Sequence, residues 1–187
     1  MQKDSILNII LVGVGLCIVC GAVISTVAVS LKDQQEQNVI FDQQSKIIDA
    51  ARLLEVYPSS QEALASIEEV VVNLNDGQPS GFPPEQYDLD SILRDSSQHT
   101  VLNGSDDIAM ISVRENLSKV YIEYRNNELK TLILPVRGYG LWGTLYGYLA
   151  LDSDLNTIVG LEFYKHKETP GLGAEVDNPN WKKLWNG

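Results

Sequence analysis

The chain contains a long uncharged run near its start, and this run constrains the fold more than any other feature. Between Ser5 and Leu31 there is no charged side chain, and Asn8 is the only amide. A helix needs roughly 20 apolar residues to cross about 30 Å of hydrocarbon, so the run is long enough to span a bilayer. No second run of this kind follows. The sequence therefore predicts a single transmembrane helix over residues 5–31, with the remainder of the chain in water.

A cleaved secretory signal peptide is the competing interpretation of the same run, with Thr26 and Ala28 as the small residues of a cleavage site. The apolar part of a signal peptide is about 7 to 15 residues long, which is shorter than this run, so an uncleaved anchor is favoured. Charge gives little information about orientation, because one basic and one acidic residue adjoin each end of the run.

Charge is unevenly distributed over the rest of the chain. Residues 32–110 carry 4 Lys or Arg and 15 Asp or Glu, whereas residues 111–187 carry 9 of each. An acidic surface repels phosphate backbones, which argues against nucleic acid as a partner. We interpret the acidic part as a solvated face, and the neutral second half is where an anionic ligand could bind.

Cys17 and Cys20 lie inside the apolar run and share one face of the predicted helix. Two thiolates cannot complete a zinc or iron–sulfur site, so we interpret both as small apolar residues. A contribution to an intramembrane metal centre shared with other chains is the alternative. His99 and His166 have no ligand partner four residues away, and no metal site is predicted.

Two helices are predicted after the anchor. Apolar residues at helical spacing continue a helix over residues 34–57. Ser59 with Glu62 has the form of a capping box and opens a second helix that extends to about Leu74. Residues 75–84 are predicted to be loop, and residues 85–107 an irregular insertion.

An antiparallel sheet is predicted in the second half of the chain, where alternating apolar residues flank short turns. The predicted strands cover residues 119–125, 129–136, 145–151 and 158–164. The fold class is therefore α+β, with one transmembrane helix followed by a twisted antiparallel sheet and packed helices.

Residues 138–143 read Gly-Tyr-Gly-Leu-Trp-Gly, a motif that suits a flat ring ligand. Three glycines leave the backbone without Cβ atoms, so a ring can lie close to the main chain. Trp142 can then cover one face of the ring.

About 25 residues later, residues 168–173 read Glu-Thr-Pro-Gly-Leu-Gly. Pro170 and Gly171 suit the central positions of a type II turn. Such a turn can direct the two following amides, the Thr169 hydroxyl and the Glu168 carboxylate toward one polar ligand. Taken singly, each motif is more often an ordinary turn between strands.

Together, the two motifs and their spacing resemble the FMN-binding domain found in the C subunit of the sodium-translocating NADH:quinone oxidoreductase. The resemblance extends over the anchor and essentially all of residues 1–187, and it is most specific from Gly138 to Trp185. It implies that both motifs line FMN and that a later Ser/Asp-Gly-Ala-Thr motif carries FMN on its threonine through a phosphoester bond. Residues 1–187 contain no such motif. We therefore expect the covalent FMN threonine beyond Gly187 and an incomplete flavin core in residues 111–187.

The resemblance also implies a set of cofactor-binding residues and no catalytic residue, because the flavin supplies the redox chemistry. The first motif supplies the ring-facing residue and its backbone frame, and the second supplies polar contacts to the ring edge or the ribityl-phosphate arm and closes the pocket. These residues are Gly140, Leu141, Trp142, Gly143, Glu168, Thr169, Leu172 and Gly173.

By the same resemblance, the chain is a flavin-bearing electron-transfer subunit of a membrane complex that oxidises NADH, reduces ubiquinone and pumps sodium ions out of the cell. The expected partners are the other subunits of that complex. The expected location is the bacterial inner membrane, with residues 1–4 cytoplasmic. Residues 32–110, an acidic region of helix and loop, and the flavin core would be periplasmic.

Two alternatives remain at this stage. The flavin-bearing G subunit of Rnf-type ferredoxin:NAD oxidoreductases shares the anchor and both motifs, although the long acidic stretch before the first hairpin favours the quinone reductase. A membrane-anchored structural protein such as a pseudopilin also pairs an apolar N-terminal helix with a sheet. Pilins need a glutamate within the apolar helix, and residues 5–31 contain none.

Overall fold

The computed structural model describes residues 5–187, so the expected cytoplasmic segment 1–4 lies outside the described residues. The chain divides into two compact units between Phe41 and Asp42. Helix α1, Ile6–Ala50, runs from the first unit into the second. Among the described residues it is the one helix long and apolar enough to cross a membrane. Its most apolar stretch is not buried by other residues of the chain.

The second unit contains three short helices and seven strands in the described residues. The helices are α2 (Ser60–Ala65), α3 (Leu89–Arg94) and α4 (Pro179–Lys182). The strands are β1 (Ile67–Asn73), β2 (His99–Val101), β3 (Val113–Glu115), β4 (Leu117–Arg125), β5 (Glu128–Tyr139), β6 (Thr144–Asp152) and β7 (Ile158–Lys165). Short 3-10 helices cover Leu53–Glu55, Pro84–Gln86, Gly173–Asp177 and Lys183–Trp185.

Five of these strands form one antiparallel sheet in the order β1-β4-β5-β6-β7, and β2 pairs with β3 in a separate small sheet. The four strands predicted from the sequence correspond to β4, β5, β6 and β7, and the α+β class is confirmed. β4 to β7 are consecutive antiparallel neighbours, so alternate connections lie at the same end of the sheet.

The prediction of a second helix from the capping box to Leu74 was wrong beyond Ala65. The cap itself is present, because the Ser59 hydroxyl oxygen accepts a hydrogen bond from the Glu62 amide at 3.3 Å. The helix ends at Ala65, and the next residues form edge strand β1 along β4. Three consecutive valines favour an extended strand, and pairing with β4 supplies the backbone hydrogen bonds that a helix would otherwise make.

The helix predicted over residues 34–57 ends earlier, at Ala50. Arg52 adopts a left-handed conformation with φ of 52°, and the 3-10 helix Leu53–Glu55 follows. This change of direction places Ala50 and Leu53 in the core, where both are fully buried. Burial of these two side chains accounts for the turn before Pro58, the residue that sequence reasoning chose as the end of the helix.

The region 85–107, predicted to be an irregular insertion, contains α3 and the short strand β2. The Asp88 carboxylate caps α3 by accepting a hydrogen bond from the Ser91 amide at 3.1 Å. Ile92 is the buried residue of this helix. The cap and the burial of Ile92 both stabilise this six-residue helix, although the surrounding sequence is polar.

The core of the second unit lies between the end of α1 and one face of the sheet. Tyr121 and Tyr148 meet edge to face with ring centroids 5.7 Å apart, and Tyr164 stacks on Tyr148 at 5.0 Å. The buried residues of this core are Ile47, Ile48, Ala50, Ala51, Leu53, Ala63, Tyr121, Ile133, Tyr148 and Ala150. The C-terminal part of α1 is thus part of the core of the second unit.

Glu123 on β4 is a fully buried carboxylate, and four hydrogen bonds satisfy it. It accepts from Arg125 Nε at 2.6 Å and Nη2 at 3.1 Å, from the Thr131 hydroxyl at 2.8 Å and from the Tyr57 hydroxyl at 3.0 Å. Burial disfavours the charged form, but the hydrogen bonds from Arg125, Thr131 and Tyr57 outweigh burial and hold the pKa of Glu123 below its usual value. This network attaches the segment after α1 to the sheet.

We expect Glu123→Gln to lower the free energy of unfolding by about 1.5 to 3 kcal/mol at pH 7, because the substitution removes the charged acceptor of the Arg125 hydrogen bonds. The folded-state pKa is depressed, so the stabilisation is present above the unfolded value of about 4.3 and is lost as pH falls through the lower folded value. The difference between wild type and variant should therefore narrow in acid. Chemical denaturation of the detergent-solubilised chain at several pH values measures it.

Glu128→Gln is the matched control, since Glu128 forms an exposed pair with Lys130 at 2.9 Å. That substitution should leave stability unchanged within error. Equal losses for the two variants, or a Glu123→Gln difference that is constant with pH, would contradict the role assigned to Glu123.

Candidate functional site

The two sequence motifs lie at the same end of the five-stranded sheet. The first motif includes the last residues of β5 and the loop of residues 140–143 that leads into β6, and the second follows β7. Because β5, β6 and β7 are antiparallel neighbours, the ends of β5 and β7 lie on either side of the start of β6. Motifs 26 residues apart in sequence, counted from Trp142 to Glu168, are thereby brought into contact.

The first loop is a tight turn with an exposed apolar tip. The Gly140 amide donates to the Gly143 carbonyl at 2.8 Å and closes the turn. Leu141 and Trp142 occupy the tip, where they are 77% and 62% exposed. Neither side chain has a place in the core, so both are available to a ligand.

The second motif forms the predicted type II turn. Gly171 has φ of 74°, a conformation that favours glycine, and the Leu172 amide donates to the Thr169 carbonyl at 3.1 Å. The Ala174 amide donates to the same carbonyl at 3.1 Å. The Leu172 amide is thus hydrogen-bonded within the turn and is not directed at a ligand, in contrast to the prediction from the sequence. The Leu172 side chain is 72% exposed.

Glu168 connects the two loops. Its side chain is buried, and one carboxylate oxygen accepts a hydrogen bond from the Trp142 amide at 3.1 Å. The carboxylate occupies the space that a Cβ atom would need at Gly140, and at Gly173 a Cβ would approach Glu168 Oε2 to 2.5 Å. Glycine at these two positions therefore leaves room for the acidic side chain, and the Glu168 carboxylate holds the backbone of the first motif against the second.

A buried carboxylate with few partners gives the site its electrostatic character. Within residues 5–187, none of the ion pairs includes Glu168, and the Trp142 amide is the one donor that reaches its carboxylate. A buried carboxylate can accept several hydrogen bonds, so it favours a neighbouring ligand that carries N–H or O–H donors. The exposed apolar tips beside it suit a flat aromatic ring.

His166 also belongs to this site, although it was not predicted from the sequence. His166 Nδ1 accepts a hydrogen bond from the Glu168 amide at 3.2 Å, and Nε2 lies 2.7 Å from Asp177 Oδ2. The sequence was searched only for a second metal ligand four residues from His166, whereas its hydrogen-bond partner Asp177 is eleven residues on, at the end of a 3-10 helix. The proximity of His166 to the second motif was the available signal.

Of the eight residues predicted for the site, the structure brings Gly140, Trp142, Glu168 and Gly173 together around the Glu168 carboxylate. Gly143 closes the first turn, and Thr169 accepts the two backbone hydrogen bonds of the second. Leu141 and Leu172 project as exposed apolar side chains.

Residues 140–186, which include both Gly-rich loops, match the family described as FMN-binding domain. The C subunit of the Na(+)-translocating NADH-quinone reductase of Pseudomonas aeruginosa is 43% identical over 100% of this chain and 73% of the relative. Its counterpart in Vibrio vulnificus is 38% identical over 100% of this chain and 73% of its own length. The chain belongs to the family of C subunits of the Na(+)-translocating NADH-quinone reductase, an oxidoreductase complex.

Solved structures agree with this assignment. The crystal structure of NqrC from Shewanella oneidensis superposes with a TM-score of 0.68 at 30% identity, covering 77% of this chain and 67% of that one. The crystal structure of the C subunit of the Na(+)-translocating NADH-quinone reductase from Parabacteroides distasonis gives a TM-score of 0.60 at 28% identity, covering 84% and 69%. The chain is therefore assigned to the C-subunit family, and not to the Rnf-type G subunits or the pseudopilins.

Proposed function

We propose that this chain is the flavin-bearing electron-transfer subunit of a membrane complex that oxidises NADH, reduces ubiquinone and exports sodium ions. The observation that carries the proposal is the contact between the two motifs through buried Glu168, which leaves the apolar tip of the first loop exposed. Membership of the C-subunit family supports the identity of the complex. The expected partners are the other subunits of that complex.

The residues at this end of the sheet suit FMN, which supplies the electron-transfer chemistry when it is bound. Trp142 would cover the ring, and Leu141 and Leu172 would shield it from water with their exposed side chains. The Thr169 hydroxyl would donate to the ribityl-phosphate arm or the ring edge. Glu168 would contribute mainly by fixing the position of the Trp142 backbone.

We also propose that FMN is attached covalently to a threonine that lies outside residues 1–187. The support is the family assignment together with the absence of a Ser/Asp-Gly-Ala-Thr motif from these residues. A polypeptide of residues 1–187 should therefore lack covalent flavin, whereas a full-length natural chain should carry it. On a denaturing gel, the full-length chain should fluoresce under ultraviolet light and the polypeptide of residues 1–187 should stay dark. Fluorescence of the shorter polypeptide would show that the attachment point lies within it.

Trp142→Ala should disturb the flavin and leave the fold intact, because Trp142 is 62% exposed and supports little of the core. In a full-length chain within its complex, we expect a changed flavin absorption spectrum or midpoint potential and slower NADH-to-quinone turnover. The lost ring contact is worth about 0.5 to 1.5 kcal/mol beyond the area buried. Absorption spectroscopy and a redox titration measure the effect.

Trp185→Ala is the matched control for this experiment. Trp185 is also partly exposed, at 46%. Two residues later, the Gly187 amide donates to the Ile158 carbonyl at the start of β7, which is the opposite end of that strand from the site. This control should leave the flavin spectrum unchanged. If Trp142→Ala unfolded the domain without altering the flavin of the surviving fraction, Trp142 would be a packing residue and the proposed site would be wrong.

We propose that α1 crosses the bacterial inner membrane once and that the second unit is periplasmic. The length and hydropathy of α1 support the crossing, and family membership supports the orientation. Reporter fusions after Ser30 and after Asn103 should both report an exported location. A cytoplasmic signal from either fusion would contradict the proposed topology.

A further inference from the structure

A chain of hydrogen bonds runs from Asp177 to the first flavin motif. Asp177 Oδ2 lies 2.7 Å from His166 Nε2, and His166 Nδ1 accepts from the Glu168 amide at 3.2 Å. The Glu168 carboxylate in turn accepts from the Trp142 amide at 3.1 Å. The backbone of the loop that bears Trp142 is therefore held by a buried acid whose own amide donates to a histidine.

This geometry fixes the tautomer of His166. The Glu168 amide is a donor, so Nδ1 must present its lone pair, and the hydrogen of a neutral imidazole must then lie on Nε2, facing the Asp177 carboxylate. Asp177 thus selects the tautomer in which His166 can accept from Glu168, as the carboxylate partner of a histidine does at many active sites. A hydrogen on Nδ1 would instead face the hydrogen of the Glu168 amide.

The histidine is set between the site and the surface. Its side chain is 17% exposed and that of Asp177 is 51% exposed. Asp177 is the last residue of the 3-10 helix Gly173–Asp177. The first residue of that helix, Gly173, is also the last residue of the second motif. The Asp177 and His166 pair therefore links both ends of the segment that carries Glu168 and the type II turn.

We propose that His166, oriented by Asp177, is a positioning residue of the flavin site, acting through Glu168 on the loop that bears Trp142. This inference rests on the proposed function and adds two residues to it. His166 acts by supplying one acceptor at the position of Nδ1, and its contact with Asp177 serves to keep that acceptor available. The important atom is therefore Nδ1, which makes the proposal open to a test by isosteric replacement.

Two amide substitutions separate the two ring nitrogens. In His166→Asn, the amide oxygen is attached at Cγ like Nδ1, so it can still accept from the Glu168 amide. In His166→Gln, the longer side chain places its amide nearer the position of Nε2, where it can donate to Asp177 but leaves the Glu168 amide without its acceptor. Both variants remove the aromatic ring, so effects due to loss of the imidazole alone should be common to both.

The experiment uses a full-length chain in its assembled complex. The readouts are the flavin absorption spectrum, its midpoint potential, the rate of flavin reduction by NADH and thermal stability. We expect His166→Asn to keep the wild-type flavin spectrum and potential. His166→Gln should shift both and slow flavin reduction about fivefold, the factor expected for the loss of one ordinary hydrogen bond. His99→Gln, at the other histidine, should change none of these properties.

The outcomes distinguish this inference from the proposed function. If the wild-type chain carries flavin and both His166 variants keep its spectrum and potential, His166 has no positioning role, although the proposed function stands. If both variants shift the flavin equally, the acceptor at Nδ1 is not the important contact and the inference is wrong. If the wild-type complex carries no flavin on this chain, the proposed function itself fails.

Discussion

The candidate site depends on the burial of one carboxylate. Removing Glu168 from water has an energetic cost, and that cost is acceptable only where donors and close backbone contacts compensate it. The Trp142 amide provides a donor, and Gly140 and Gly173 allow the carboxylate to approach two stretches of backbone at once. The two motifs are therefore parts of one packing arrangement, in which the glycines of each motif accommodate the acid of the second.

The antiparallel sheet makes this arrangement possible. Each strand from β4 to β7 pairs with the next, so the β5–β6 loop and the segment after β7 emerge at the same end. β5 and β6 pair without a register shift from Thr131 to Tyr139, which defines the position of the first loop. β6 and β7 contain two register shifts, one of them between Tyr146 and Gly147 near the site end. Bulges of this kind redirect the chain as it leaves a strand, here shortly before His166 and Glu168.

The sequence was informative where a single local preference decides the structure. Pro170-Gly171 favours a type II turn, and the left-handed Gly171 with the hydrogen bond from the Leu172 amide to the Thr169 carbonyl confirms it. Alternating apolar residues likewise located β4 to β7, because one face of each strand is buried. These features depend on neighbouring residues and need no knowledge of distant contacts.

Sequence reasoning failed where tertiary contacts decide the structure. Residues 67–73 form a strand because β4 offers an open edge, and α1 turns at Arg52 because Ala50 and Leu53 find places in the core. The inward orientation of Glu168 and the pairing of His166 with Asp177 depend on how separate loops approach each other. Spacing along the chain does not encode such approaches, so the contact of the Glu168 carboxylate with the Trp142 amide could not be predicted from the sequence.

The division between hydrogen-bonded polar side chains and exposed apolar ones agrees with a tethered cofactor. Glu168, His166 and Asp177 are already engaged within the protein, whereas Leu141, Trp142 and Leu172 remain exposed. A ring tethered by a short flexible arm has an effective concentration of about 1 mM, so contacts of roughly millimolar affinity, about 4 kcal/mol, are enough to hold it in place half of the time. If FMN is attached covalently as proposed, the exposed side chains need only orient the ring. The hydrogen bonds of Asp177, His166 and Glu168 then hold the loops that carry these side chains.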